Sequence, residues 1–441
     1  MAQTITPEDL ALFEAEEHKP GVGIARRAVE SNGLVHSATD VKKMNANPFV
    51  FNLVVEAGDV CNQKRSGRCW MFAGLNVIRV ILAEKLNVKS IELSQSYLQF
   101  YDKLEKANFF LEKGLERSDK PLNDPEMVYL FDKAVADGGH FAMFKNLVKK
   151  YGVVPHDVMA DGAVASDTGE LNKLLQTLLA QDLLELRAAK VEGKDVEKRK
   201  AEMLSEIYRV LGIALGFPPK EFRFEYEDKD GVTRRIESTP KEFYDAYIGQ
   251  DLEDYVCLAH VPMIDLDPYT KVYAPLVSNV IEGEETFFFH VEEQELQGAV
   301  KEELKKKRPI WFSADVGAES LRKEGYLVRG IHRLDELTGT EIRLTKGEKL
   351  DTRVSACTHA MTFTGAYLED DGTISRYKVE NSWGDENGKK GYYVMDKAWF
   401  EEYVHQVFVR KDSLPEALKE KYEKAPRKAV PPFNTLWDMG N

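Results

Sequence analysis

The stretch NQKRSGRCWMFAGLNVIRVIL at residues 62–82 joins a polar, glycine-containing loop to an apolar run that predicts a buried helix. Cys69 falls at the expected first turn of that helix, where unpaired backbone N–H groups and the helix dipole stabilise a thiolate. Gln63 precedes it on the loop, so its side-chain amide is expected beside the helix N-terminus, where an oxyanion would need a donor. We therefore predict Cys69 as a nucleophile and Gln63 as an oxyanion donor.

A candidate base for this nucleophile lies about 290 residues downstream. Residues 358–364 and 375–381 read as two strands joined by an acidic, glycine-containing turn. Residues equidistant from about position 370 are expected to face one another, which pairs His359 with Asn381. The Asn381 side chain would accept a hydrogen bond from the imidazole and fix its tautomer. Trp383 is expected on the same side of the chain, where it would shield this polar pair from water.

Other cysteines and histidines carry no comparable pattern. Cys61, Cys257 and Cys357 are interpreted as small buried hydrophobic residues, the common role of an isolated cysteine. No pair among the nine histidines has a spacing that argues for a metal ligand set. We expect no metal and no organic cofactor.

Three short blocks stand out when the sequence is taken as a whole: Gln63 with GRCW at 67–70, THAM at 358–361 and ENSWG at 380–384. Together they resemble the three catalytic blocks of papain-like cysteine peptidases, and more closely the branch of bleomycin hydrolase and bacterial aminopeptidase C. LSQSY at 93–97 and GKKGYYVM at 388–395 match further segments of that branch. The likeness spans roughly residues 50–440.

The resemblance implies a complete set of roles for acyl transfer. It implies a Cys69 thiolate paired with a His359 imidazolium, Asn381 as the residue that orients the imidazole, and oxyanion donors from Gln63 and the Cys69 backbone N–H. Under this mechanism His359 acts first as base and then as acid.

A glycine pair at Gly138 and Gly139 matches the segment against which papain-like clefts pair the substrate backbone as a strand. Taken alone, the pair is as readily a loop before the next helix. The family more often has Gln and Trp where His140 and Phe141 stand, so the side-chain preference of the site stays open.

The expected fold class is α+β, with the two-part papain-like arrangement of a helical half and a β half across a cleft. Papain-like chains place their His and Asn roughly 130–150 residues after the Cys. Here the longer separation requires an insertion of about 140 residues. The predicted regions are an N-terminal helix and arm (1–60), a helical half with Cys69 (61–160), a mostly helical insertion with a β-hairpin (161–255), a β half with His359 and Asn381 (256–411), and a C-terminal helix and tail (412–441).

Local patterns support the insertion. Leucines from Leu171 to Leu186 recur at helical spacing, and a second helical pattern runs over 201–215. Alternating aromatic residues and a glycine-containing turn then predict a hairpin over 222–236, and Ser238-Thr239-Pro240 is typical of a helix start.

The C-terminus bears on the kind of peptidase. A helix is predicted after a capping box formed by Ser413 and Glu416, and prolines at 426, 431 and 432 then favour an extended arm that ends at Asn441. In the resembling family this tail lies in the cleft and limits cutting to the N-terminal end of peptides. The terminal carboxylate of Asn441 is therefore expected to bind the substrate's ammonium group, which makes the protein an aminopeptidase. This tail is shorter than usual, and the alternative is an oligoendopeptidase with an open cleft.

Composition excludes several other classes. The formal charge of −14 argues against nonspecific nucleic-acid binding, and no apolar run is long enough to span a membrane. The N-terminus lacks the pattern of a signal peptide and reads instead as a helix start with Thr6 as cap and Pro7 in the first turn, so a cytoplasmic protein is expected. The resemblance implies a homo-oligomer, with a hexamer as the family's arrangement, that acts on peptides. Two alternatives remain open: a non-catalytic binding protein on a papain-like fold, and an enzyme acting on small amides.

Overall fold

The computed structural model describes residues 4–437 and begins with an arm of short helices in which no helical residue is buried. The first helix begins at Pro7, and its N-terminus is closed by a reciprocal capping box between Thr6 and Asp9, which confirms the predicted start. The arm contains α1 (Pro7–Glu14), α2 (Val22–Asn32), α3 (Leu34–Ser37), α4 (Val41–Asn45) and the strand β1 (Leu53–Val54).

The helical half is built around α5 (Cys69–Lys85), which is buried over most of its length. The predicted apolar run explains this burial, because no face of the helix is consistently polar. Trp70 is fully buried, and its carbonyl accepts a hydrogen bond from the Trp311 indole N–H at 3.0 Å. Around α5 lie α6 (Gln95–Glu116), α7 (Pro125–Lys133), α8 (Phe141–Tyr151) and α9 (Ala163–Ser166).

Two long helices follow, α10 (Gly169–Val191) and α11 (Glu197–Leu215), and they share an apolar core with α6 and α7. Leu171 and Leu175 of the predicted stripe are buried in this core, whereas Leu174 lies on the outer face and is 49% exposed. The extra helices are thus packed into the helical half.

The predicted hairpin and the helix after it are confirmed. The Thr239 hydroxyl caps the helix through the Glu242 N–H. These elements are β2 (Phe222–Glu227), β3 (Thr233–Ser238), α12 (Pro240–Tyr247) and α13 (Gly249–Glu253).

The β half is a mixed sheet whose strands come from the whole C-terminal part of the chain. The strands are β4 (Tyr255–Ala259), β5 (Lys271–Tyr273), β6 (Phe287–His290), β7 (Ile310–Ala314), β8 (Ser320–Leu321), β9 (Tyr326–Leu327), β10 (His359–Leu368), β11 (Ile374–Glu380), β12 (Tyr392–Asp396), β13 (Val404–Arg410) and β14 (Arg427–Ala429). The helices between them are α14 (Glu293–Lys305), α15 (Leu334–Thr338), α16 (Lys346–Asp351), α17 (Lys397–Tyr403) and α18 (Glu416–Lys424).

The strand order is β14-β5-β6-β4-β13-β7-β10-β11-β12-β9-β8, and β1 pairs with β10 beside this path. The N-terminal arm is therefore tied to the sheet of the β half. Trp311 and Phe312 on β7 are fully buried. In this order β10 lies inside the sheet, between β7 and β11, which gives its first residue a rigid support.

The predicted capping box at the C-terminal helix is wrong. Helix α18 begins at Glu416 with Pro415 as its N-cap residue, and no side chain caps it. Ser413 lies in a short 3-10 turn instead, where its hydroxyl accepts a hydrogen bond from Lys306 Nζ at 3.1 Å. The local sequence pattern assigned the Ser413 hydroxyl to the helix cap, but the hydroxyl makes a tertiary hydrogen bond instead.

A buried ion pair joins α5 to the end of β11. Arg79 Nη2 lies 2.5 Å from Glu380 Oε1, and the two side chains are 3% and 0% exposed. Arg79 Nη1 also donates to the carbonyl of Asp59 at 2.6 Å. Burial raises the pKa of Glu380 to about 7, against the opposing attraction of Arg79. The pair links the helix that begins at Cys69 to the strand that precedes Asn381.

We expect Arg79→Met to lower the free energy of unfolding by about 3–5 kcal/mol, because it leaves a buried carboxylate without its cation. Glu380→Gln in the same chain should restore part of that loss, which a double-mutant cycle in urea would measure. The control is Arg199→Ala in the exposed Arg199–Glu185 pair, which should cost at most about 1 kcal/mol. Additive losses for Arg79 and Glu380 would contradict the coupling.

Candidate active site

Cys69 is the first residue of α5, and its side chain is 1% exposed. The preceding residue, Arg68, is buried too, and its guanidinium pairs with Asp161 at 2.7 Å. Gly67 donates its backbone N–H to Asp137 Oδ2 at 2.9 Å. The loop before the helix is thus fixed on both sides, and the sulfur stays at the end of the helix where the unpaired N–H groups lie.

The structure brings His359 and Asn381 together, with Nε2 of the imidazole 2.9 Å from Oδ1 of the amide. That oxygen also accepts the Ser382 backbone N–H at 2.8 Å. Because Oδ1 can only accept, His359 Nε2 carries the proton of this bond and Nδ1 keeps its lone pair. The Trp383 ring packs on the imidazole with centroids 4.7 Å apart, in the position predicted for a shield.

The predicted direct opposition of His359 and Asn381 across the hairpin is wrong. The ladder pairs Thr362 with Glu380 and Leu368 with Ile374, so the hairpin is centred near position 371 and not 370. His359 pairs instead with Ala314 on β7, and Asn381 lies just beyond the end of β11. The two side chains still meet because both extend past the last rung of the β10–β11 ladder.

Cys69 lies against the first residues of β10. The backbone N–H of Ala360, the residue after His359, donates a hydrogen bond that favours the Cys69 thiolate. Farther along the same contact, the Thr362 hydroxyl donates to the Ala73 carbonyl of α5 at 3.4 Å. The start of α5 and the start of β10, which carries His359, are therefore in contact, one on each half of the molecule.

Burial dominates the protonation of this pair. It raises the pKa of the Cys69 thiol to about 11, although backbone N–H groups act in the other direction. It lowers the pKa of His359 to about 4, although the hydrogen bond to Asn381 acts in the other direction. Burial therefore acts against the ion pair that the resemblance implies, whereas the backbone N–H groups at Cys69 and the hydrogen bond to Asn381 act in its favour.

Gln63 ties the loop before α5 to the segment after Asn381. Its backbone N–H donates to the Ser382 carbonyl at 2.8 Å, and its Oε1 accepts from the Ser382 hydroxyl at 2.6 Å. One N–H of its side-chain amide donates to the Ser66 carbonyl at 2.7 Å. Since Nε2 carries two hydrogens, the other remains for a partner in the cleft.

Gly138 and Gly139 lie directly before α8, beside Trp70. A Cβ atom built on Gly139 would lie 2.6 Å from the Trp70 ring, so this position requires glycine. The next residue, His140, is buried and contacts Trp437 of the tail with ring centroids 5.2 Å apart. A cavity of about 60 Å³ borders this glycine segment and the Trp437 ring.

The tail is anchored as far as it is described. The Thr435 carbonyl accepts from the Cys357 N–H at 3.0 Å, and the Leu436 carbonyl accepts from Gln406 Nε2 at 3.3 Å. Trp437 is 6% exposed and also packs on Phe288. The predicted ammonium-binding residue, Asn441, lies outside the described residues.

The full length of the chain was compared with known proteins. Residues 4–438 match the Peptidase C1-like family. The chain belongs to this family. The Aminopeptidase C of Lactobacillus delbrueckii subsp. lactis is 38% identical over 432 residues, which cover 96% of this chain and 95% of that protein. The Aminopeptidase E of Lactobacillus helveticus is 38% identical over 442 residues, which cover 99% and 100%.

Among solved structures, the crystal structure of PepW from Lactobacillus rhamnosis matches with a TM-score of 0.94 and 36% identity, over 99% of both chains. This Peptidase C1-like chain is therefore a cysteine-type peptidase with a papain-like α+β fold, and the predicted family and fold class are confirmed. A non-catalytic binding protein is no longer supported.

Two kinds of feature are absent from residues 4–437, the part of the chain that the structure describes. None of their helices has the length and apolar character needed to cross a bilayer. Within the same residues, no group of three or more His, Cys, Asp or Glu side chains is arranged to hold a metal ion. The other cysteines, Cys61, Cys257 and Cys357, are buried and free of disulfide bonds.

Sequence reasoning missed the polar support of the loop before Cys69. Asp137 directly precedes the glycine pair in the sequence, and its carboxylate holds Gly67. Thr168 and Asn172 at the start of α10 also bond to Asp137, and no spacing rule connects residues so far apart in the chain. The adjacency of an Asp to a Gly-Gly pair was the only available signal.

We expect Asn381→Ala to lower kcat by about 100-fold, because the imidazole loses the partner that fixes its tautomer and orientation. Steady-state rates on a fluorogenic peptide would measure this. The matched control is Asn52→Ala, since Asn52 bonds to Leu368 at the far end of the same hairpin. Equal rates for Asn381→Ala and the unmodified enzyme would refute the orienting role.

Proposed function

We propose that this protein is an aminopeptidase that removes N-terminal residues from peptides through a Cys-His-Asn acyl-enzyme mechanism. The observation that carries the proposal is the meeting of the Cys69 helix start with the hydrogen-bonded His359–Asn381 pair. The names of the full-length relatives, Aminopeptidase C and Aminopeptidase E, support the same activity.

The reaction uses the thiol proton of Cys69 and the lone pair on Nδ1 of His359. As Cys69 Sγ forms its bond to the scissile carbonyl carbon, the thiol proton moves to Nδ1 of His359. The Asn381 oxygen stabilises the resulting imidazolium through the Nε2–H bond. The oxyanion of the tetrahedral intermediate accepts from the free N–H of Gln63 and from the Cys69 backbone N–H.

Collapse of this intermediate breaks the C–N bond, and His359 gives its proton to the leaving amine. Water then attacks the thioester carbonyl while His359 takes one of its protons. When the C–S bond breaks, the acid product leaves and the proton returns to Cys69. The site finishes in its starting state, and every step uses only groups of this chain and one water molecule.

The anchored tail supports exopeptidase cutting. Trp437 packs on His140 next to the glycine pair, so the tail occupies the side of the cleft where the acyl part of a peptide would extend. A peptide that must end near this barrier places its N-terminal residue at Cys69. We propose that Gly138 and Gly139 bind the backbone of that residue, and that the carboxylate of Asn441 pairs with its ammonium group.

The test is a comparison of initial rates on one fluorogenic peptide with a free or an acetylated N-terminus. We expect cleavage of the free form only, because acetylation removes the charge and adds bulk where the tail lies. Comparable cleavage of both forms would replace the aminopeptidase with an oligoendopeptidase.

Cys69→Ala should abolish turnover of both peptides and leave thermal unfolding nearly unchanged, because a small buried side chain is replaced at a helix end. The matched control is Cys257→Ala, which alters another buried cysteine and should keep the wild-type rate per folded molecule. Activity in Cys69→Ala would refute the nucleophile assignment, and with it the proposed mechanism.

The N-terminal arm supports self-association. Its helices bury none of their residues, although Leu12, Ile24 and Val35 are 71%, 69% and 50% exposed. Apolar side chains gathered on one exposed segment are typical of an interface. We propose a homo-oligomer in which this arm contacts another copy of the chain, with a hexamer as the expected size.

We expect Ile24→Asp combined with Val35→Asp to lower the molecular mass measured by light scattering, because two charges would enter the interface. Val191→Asp is the control, since Val191 is 84% exposed at the end of α10, away from the arm. An unchanged mass for the double variant would exclude the arm as the interface.

We also propose a cytoplasmic location. All four cysteines are free of disulfide bonds, which suits a reducing compartment that keeps the Cys69 thiol usable. Fractionation of cells that express the tagged chain would test this, and recovery from the extracellular or membrane fraction would contradict it.

A further inference from the structure

A single buried carboxylate, that of Asp137, meets four hydrogen-bond donors from three separate parts of the chain. Its Oδ2 accepts from the Gly67 N–H at 2.9 Å and from the Thr168 hydroxyl. Its Oδ1 accepts from Lys103 Nζ at 2.6 Å and from Asn172 Nδ2 at 3.0 Å. These bonds, with the charge of Lys103, hold the pKa of Asp137 well below its usual range. The carboxylate is therefore charged at neutral pH.

The backbone around Asp137 is fixed as firmly as its side chain. The Trp70 indole N–H donates to the Asp137 carbonyl at 2.7 Å, and Lys106 Nζ donates to the Gly138 carbonyl at 2.7 Å. The face of Trp70 lies where a side chain on Gly139 would be. The glycine segment is thus held against the residue that follows Cys69.

The loop at 63–68 has a second backbone contact in the same region. The Arg65 N–H donates to the Ser166 carbonyl at 2.9 Å, next to the start of α10. Among the described donors to Asp137, only Gly67 belongs to this loop, and it bonds through its backbone. A shift of the carboxylate would therefore move the loop backbone directly.

We propose that Asp137 is a positioning residue that sets the spacing between the loop carrying Gln63 and the Gly138–Gly139 segment. This inference rests on the proposed function, in which the loop supplies the oxyanion donor and the glycines bind the substrate backbone. Thr168 and Asn172 make the start of α10 part of the same support. An error of about 1 Å in such spacing costs about 100-fold in rate.

Asp137→Asn is the sharpest single change, because it keeps the shape of the side chain. Its amide nitrogen replaces one of the two carboxylate oxygens, so the two donors that bond to that oxygen lose their acceptor. The negative charge of Asp137 also raises the pKa of Cys69, and its removal makes the thiolate more available. The expected signature is slower catalysis together with a thiol that reacts no more slowly.

The experiment measures kcat and KM of the full chain on the free-amine fluorogenic peptide, per Cys69 site titrated with a thiol-reactive peptide. It also measures the rate of Cys69 alkylation by iodoacetamide. For Asp137→Asn we expect kcat/KM to fall by about 10- to 100-fold, and alkylation to be as fast as in the unmodified enzyme or faster. A merely structural role would leave kcat per titrated site unchanged at a temperature well below unfolding.

The matched control is Asp228→Asn in the β2–β3 turn. Asp228 is also buried and also accepts from a backbone N–H, that of Val232 at 2.9 Å, and from Arg234 Nε at 2.8 Å. It should lose stability without losing kcat per site. If Asp137→Asn lowers kcat/KM no more than this control does, the positioning role is refuted.

Asp137→Asn leaves Lys103 buried without its anion, and the variant can fail to fold for that reason. In that case the test uses the double variant Thr168→Val with Asn172→Leu. This variant keeps the Asp137–Lys103 pair and removes two hydrogen-bond donors to Asp137. We expect a several-fold loss of kcat/KM per titrated site, and an unchanged value overturns the proposal. Failure of the proposed function would appear separately, as turnover that survives in Cys69→Ala.

Discussion

The burial of α5 between the two halves of the molecule is the constraint on which the active site depends. Its first residues contact the sheet directly, through the Trp311–Trp70 and Thr362–Ala73 hydrogen bonds. A helix enclosed in this way cannot slide or rotate without breaking the core on both sides. The sulfur at its N-terminus and the imidazole at the start of β10 therefore keep a fixed relation, although they come from distant parts of the chain.

Buried ion pairs add to the constraint that apolar packing places on the active site. Three ion pairs connect the elements of the active site to other parts of the fold. One starts from α5, one from the loop before α5 and one from the glycine segment. Burying a charge is costly, and these pairs offset that cost with additional hydrogen bonds to backbone and side-chain groups. Each pair links two elements that are far apart in the chain. The pairs are Arg79–Glu380, Arg68–Asp161 and Lys103–Asp137.

Local chemistry explains which features the sequence could predict. The start of α5, the Thr6 and Thr239 caps and the β2–β3 hairpin depend on residues within a few positions of one another, and the structure confirms them. The His359–Asn381 register was missed by one residue in the hairpin centre, because turn composition does not fix turn length. The hydrogen bonds of Asp137 and of the Ser413 hydroxyl depend on tertiary neighbours, which no local pattern specifies.

The central step of the proposed mechanism is a covalent intermediate at Cys69. The most direct test is to let the enzyme react with an activated ester substrate, quench the reaction with acid and map the modified peptides. We predict that the mass of the acyl group appears on the peptide containing Cys69 and is absent from those containing Cys61, Cys257 and Cys357. An acyl group on another residue would contradict this mechanism. Turnover without any acylated peptide, under conditions in which deacylation is rate-limiting, would contradict it as well.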